Sequence, residues 1–104
     1  MIRHIVLLDL PHGYDQDELA EIMDGIHALR ETITGFTYFE HGVNRDFENM
    51  SEDCAYAFIC HFLNEDASHR YIDDPDHQAL GSRLVRMCRD GVQGIKVIDM
   101  ELAA

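Results

Sequence analysis

The chain has a single lysine, two prolines, no tryptophan and no long apolar run, and each shortage narrows what it can be. Eight basic residues face 20 acidic ones, which leaves a formal charge of −12 at pH 7. A surface of that sign repels phosphate backbones, and no basic stripe offsets it, so nucleic-acid binding is excluded. The first apolar run, Ile5 to Leu8, stops at Asp9. That is too short for a membrane span or for the core of a signal peptide, and the expectation is a cytoplasmic protein with no membrane partner. Three cysteines, Cys54, Cys60 and Cys88, are odd in number and show no C-x-x-C spacing. Neither a disulfide framework nor a zinc knuckle follows, and the thiols read as buried and free.

What is present describes one globular domain, residues 1–104. Hydrophobic residues make up 46% of the chain, enough for a core, and no repeat or linker divides it. The opening IRHIVLLDL reads as a strand closed by Pro11-His12-Gly13. Asp15 with Glu18 three residues later has the form of a capping box. Leu19, Ile22, Met23, Ile26, Leu29 and Ile33 then recur at helical spacing, and Gly35 is placed to end that helix. GFTYFEHGV and AYAFICHFL are strand-like, joined by the polar loop from Asn44 to Asp53. Asn64, Glu65 and Asp66 start a second helix, which meets Pro75, resumes through Leu80 and Leu84, and gives way to a last strand, IKVIDMEL.

The order β-α-β-β-α-β predicts an α+β fold, the split pattern of a ferredoxin-like sandwich. Its sheet is expected to mix antiparallel and parallel pairs, with the first and third strands central and both helices on one face. His4, Val6 and Leu8 alternate with Ile5 and Leu7, and Phe58, Cys60 and Phe62 alternate with Ala57 and Ile59. Both faces of the central strands are therefore apolar, while two helices cover only one. The other face predicts a homodimer packed sheet on sheet. His41 and His61 are expected on that second face, where their protonation would loosen the dimer.

MIRHIVLLDL, YAFICHFLNEDASHRYIDDPDHQAL and VIDMEL resemble the stress-responsive dimeric α/β-barrel (Dabb) family over essentially the whole chain. The most specific parts are the M-x-R-H-I-V-L start and the Y-x-x-x-P-x-H segment. The resemblance implies two facing sheets and a small cavity in each subunit between sheet and helices. One relative, a plant cyclase that makes olivetolic acid, closes a linear polyketide by aldol condensation without a cofactor. It uses a Tyr and a His six apart, with a strand His lining the pocket. The matching positions are Tyr71, His77 and His4, with Val6, Leu8 and Phe58 at wall positions and Leu80 and Gly81 at the floor. The chain departs from the family at Asp74, where a His usually precedes the proline, and at Asp9 in place of a basic residue. Arg83 and Cys88 stand where the cyclase has bulky apolar pocket residues.

In an unbroken helix, residues six apart are separated by roughly 600°, about 120° off a shared face. Pro75 changes this. It disfavours helical geometry at Asp74, which can cap a new segment with Pro75 first, so that Tyr71 and His77 turn toward one cavity. His77 would then be a general base beside a carbonyl, Tyr71 a donor to the enolate oxygen, and His4 an orienting group. The aspartates around His77 favour its charged form and the helix start disfavours it. Each residue also has a structural reading: Tyr71 as core with its hydroxyl at the rim, His77 as surface, His4 as a bonded core histidine. The residues thus support a cofactor-independent cyclase, lyase or isomerase holding a small organic ligand. The alternatives are a non-catalytic stress-associated dimer and a relative of the cofactor-free monooxygenases, which no sequence feature selects. No metal is assigned. His69 and Asp73 share a helix face without a zinc signature, and the Asn44–Asp53 loop lacks EF-hand spacing. Phe47 and Met50 in that loop are candidates for a lid.

Overall fold

A computed structural model describes residues 1–104 as one four-stranded sheet with three α-helices on one face. Strand β1 (Ile2–Leu8) leads to α1 (Gln16–Ala28), then β2 (Phe36–Val43) and β3 (Tyr56–Phe62). Helices α2 (Glu65–Asp73) and α3 (Pro75–Met87) follow, and β4 (Ile95–Glu101) closes the sheet. No helix is long and apolar enough to cross a membrane.

The strand order is β2-β3-β1-β4, with β1 and β3 central as expected. Every neighbouring pair is antiparallel, which corrects the expected mixed sheet. Strands joined through a helix do run parallel, but each crossover passes over one strand, and that intervening strand runs the opposite way.

The helices begin where the sequence places caps. Asp15 accepts from the backbone N–H groups of Asp17 and Glu18, and Asn64 accepts from that of Ala67. The reciprocal half of the box at Asp15 is missing because Glu18 reaches Arg83 of α3 instead, at 2.6 Å. Helix α1 also ends earlier than its apolar spacing suggests. It gives way to a single 3-10 turn at Leu29–Glu31, so Gly35 is not its cap. Gly35 instead enters β2 with φ +89, where an added Cβ would lie 2.6 Å from the Cβ of Ala67.

Burial follows the alternation of the strands. Val6, Leu8, Phe58, Cys60 and Phe62 lie under the helices and meet Leu19, Ile22, Met23 and Ile26 of α1. In β2 a bulge between Phe36 and Tyr38 lets both Phe36 and Phe39 point into this core. The bulge reverses parity beyond it, so His41 shares the helix-side face with Phe58, its register partner, and bonds the Tyr56 hydroxyl. The expected place of His41 on the open face is thereby corrected. His61 does lie there, bonded to Glu40 at 2.6 Å and edge-on to Tyr38. On that face Ile5, Leu7, Ala57 and Ile59 are only half-buried, and Ile98 and Met100 are exposed. All three cysteines are free and buried.

Candidate functional site

The segment between α2 and α3 builds the site. Asp74 is extended, with φ −69 and ψ 126, and its carboxylate accepts the His77 backbone N–H at 2.9 Å. Pro75 is the first residue of α3, where its missing N–H costs nothing. The chain therefore changes direction between the two helices. Tyr71 and His77 come to stack, with ring centroids 3.8 Å apart and planes 30° from parallel. His4 approaches Tyr71 from the sheet, edge-on at 5.5 Å.

The three side chains share a cavity of about 170 Å³ between sheet and helices. Val6 and Phe58 floor it from the central strands, Ile26 and Leu84 close it from α1 and α3, and Gly81 lines it from α3. Ile95 and Val97 of β4 complete the wall. Val97 is 49% exposed while His4, Val6, Ile26, Phe58, Tyr71 and Leu84 are buried, so the cavity opens at the β4 edge. Two expected lining residues lie elsewhere. Leu8 is fully buried in the core. Leu80 faces α1 and packs on Gly25, where an added Cβ would lie 2.8 Å from it. Arg83 and Cys88 do not line the cavity either. Arg83 is held by Glu18 and Glu21, and Cys88 packs against Gly94.

Charge is distributed sparingly. His4 Nδ1 lies 2.7 Å from a carboxylate oxygen of Asp99, its register partner on β4. A carboxylate only accepts, so it fixes the His4 proton on Nδ1 and leaves Nε2 as an acceptor when the ring is neutral. Burial lowers the pKa of His77 from its ordinary 6.5, and nearby His4 adds to this. The Tyr71 and Ile72 carbonyls and the Asp74 carboxylate pull the other way without overturning it. No hydrogen bond closes on the buried Nδ1 of His77.

The Tyr71 hydroxyl is also buried without a partner. Burial pushes its pKa well upward, and the adjacent Cys60 thiol adds to the shift. The thiol is itself pushed up to about 12 by burial, so both groups keep their protons. The two groups are neighbours without forming a hydrogen bond of ordinary geometry. A buried donor without a partner costs about 1–3 kcal/mol.

Other candidate features do not join this site. His69 pairs with Glu65 on the surface of α2, and no group of three or more metal-ligating side chains converges. In the Asn44–Asp53 loop, Asp46 accepts from the backbone of Met50 and Ser51 and from the Ser51 hydroxyl. Phe47 and Met50 project from that loop into solvent and do not line the cavity.

The chain belongs to the stress responsive A/B barrel domain (Dabb) family, whose model matches residues 2–102. No functionally curated protein matches it. Among solved structures it resembles a dimeric ferredoxin-like protein of unknown function from Jannaschia sp. CCS1, at 39% identity and a TM-score of 0.91. That match covers 97% of this chain and 98% of the other. Its fold is also that of a hydroxynitrile lyase from Passiflora edulis, at 14% identity and a TM-score of 0.80 over 98% and 93% of the two chains. The fold recurs in SnoaB, a cofactor-independent oxygenase from Streptomyces nogalater, at 16% identity and a TM-score of 0.75 over 99% and 93%.

Proposed function

We propose that this member of the stress responsive A/B barrel family is a homodimer that binds a small organic ligand in each subunit. We further propose that it catalyses proton transfer beside a carbonyl without a cofactor. The observation that carries the reading is the stacked Tyr71–His77 pair at the wall of a mostly apolar cavity open at the β4 edge, with His4 alongside. A neutral imidazole is the form a general base needs near pH 7, and burial favours that form at His77. The ring nitrogen that carries no proton takes the proton from carbon, and the electron pair moves onto the carbonyl oxygen. The Tyr71 hydroxyl supplies a hydrogen bond to that oxygen and gains the partner it lacks. His4, oriented by Asp99, holds a second polar atom of the ligand. Returning the proton to the same carbon gives exchange, to a neighbouring carbon isomerisation, and attack on a second carbonyl an aldol closure.

The dimer part of the proposal rests on the open face. Ile5, Leu7, Ile59, Ile98 and Met100 form an apolar surface that nothing in one copy covers, and sheet-on-sheet packing would bury it. The Jannaschia protein is described as dimeric, and structures of the same fold include a lyase and a cofactor-independent oxygenase. His77→Ala provides the test. It should lower proton-transfer turnover roughly 100- to 10,000-fold while the dimer stays intact by light scattering. Unchanged turnover would remove His77 from the chemistry.

A further inference from the structure

Resting on the cavity as a ligand site, we propose that it takes an uncharged, compact dicarbonyl compound and rejects the carboxylate analogue of the same shape. Three observations carry this. None of the eight lysine and arginine residues of the chain lines the cavity, so a buried anion would have no permanent cation to pair with. Arg83, on the same helix as His77, is locked to Glu18 and Glu21 instead. At the β4 edge, where the cavity opens, the charged group beside His4 is the Asp99 carboxylate, about half exposed. Any positive charge on His4 is already matched by that partner at 2.7 Å. A ligand carboxylate would thus pass an acid and enter a chamber of Val6, Ile26, Phe58, Leu84 and Ile95 without compensation.

The polar atoms that remain specify a neutral ligand. The protonated Tyr71 hydroxyl wants an acceptor, and a carbonyl oxygen is one. His4 Nε2 wants a donor when neutral, which the enol hydroxyl of a dicarbonyl provides. Size sets the upper limit. A volume of about 170 Å³ is below the roughly 300 Å³ at which drug-sized pockets begin. It equals the liquid volume of about six waters, so a short dicarbonyl fits and a long acyl chain does not.

Pentane-2,4-dione and acetoacetate test this directly, because one methyl of the first is replaced by an anionic oxygen in the second. Each is titrated into the isotope-labelled full chain while the His4, Tyr71 and His77 ring resonances are followed. The dione should shift them saturably, with acetoacetate weaker by more than about tenfold. Val97→Lys, a substitution at the exposed rim, should bring the two affinities together by supplying the missing cation. Equal affinity of the unmodified protein for both ligands would overturn the neutral preference and leave the ligand site standing. Failure of both to move the three rings would overturn the preference and the site together. Selective binding of the dione without faster carbon–hydrogen exchange would support the preference and remove only the assignment of His77 as base.

Discussion

The two faces of the sheet carry similar apolar side chains and end in different states. On the helix side, Val6, Phe58 and Phe62 are sealed, and the polar groups that remain are placed in pairs: His4 with Asp99, Tyr71 with His77. On the open side, Ile5, Leu7 and Ile59 keep contact with water, and His61 is tied to Glu40 in a partly solvated pair. Covering one face creates a cavity in which a lost hydrogen bond or a buried charge matters. Leaving the other uncovered creates the apolar surface on which the proposed dimer rests.

The comparison is broken most severely on the open face. Ile59→Arg places a charge at the centre of the proposed interface and should convert the dimer to a monomer at micromolar concentration in light scattering. A dimer that persists in that variant would place the interface elsewhere.

On the covered face, Tyr71→Phe removes the partnerless hydroxyl while keeping the ring stack. The fold should be as stable as the parent or more stable by about 1 kcal/mol in denaturant unfolding, since a buried donor without a partner is deleted. Ligand affinity should nonetheless fall roughly tenfold, as expected for losing one hydrogen bond of about 1.4 kcal/mol. A loss of stability with unchanged affinity would return Tyr71 to a purely structural role.

Gly81→Ala separates packing from function in a second way. An added Cβ at Gly81 meets nothing within 4 Å, and alanine in a helix interior is favoured by about 0.8–1.0 kcal/mol over glycine. Unfolding should therefore be harder, while the narrowed cavity binds the dione less well.

The smallest effect is on pH. His77 in the folded chain titrates below its ordinary 6.5, so in the window just under that value the unfolded chain binds more protons than the folded one. Stability contributed by this group is complete above 6.5 and is lost as pH falls toward the folded value. Proton-transfer activity should likewise persist below pH 6.5 before declining. An activity midpoint above that value would contradict the burial of a neutral base.

The sequence made the frame legible because periodicity and caps are local signals. Alternation in IRHIVLL and YAFICHF placed Val6, Leu8 and Phe58 inward, and the Asp74-Pro75 pair placed the helix break between Tyr71 and His77. Features that depend on register or on a bulge were not legible. Asp99 sits on an exposed edge strand, and only its pairing opposite His4 gives it a role. Counting by twos from Phe36 puts His41 on the open face, and the bulge before Tyr38 reverses that. Ile26, Leu84 and Val97 announced themselves as apolar positions but not as cavity wall, because which inward residues leave a gap depends on the volumes of all their neighbours. For the same reason Leu8 and Leu80 fill core and helix contact instead of lining the cavity.

The central claim is that His77 is the base of a ligand cavity, and carbon-bound hydrogen exchange tests it most directly. Deuterium uptake at the central carbon of pentane-2,4-dione should be accelerated by the parent protein and fall to the background rate with His77→Ala, whose dimer remains intact. Equal acceleration by the parent and His77→Ala would contradict it.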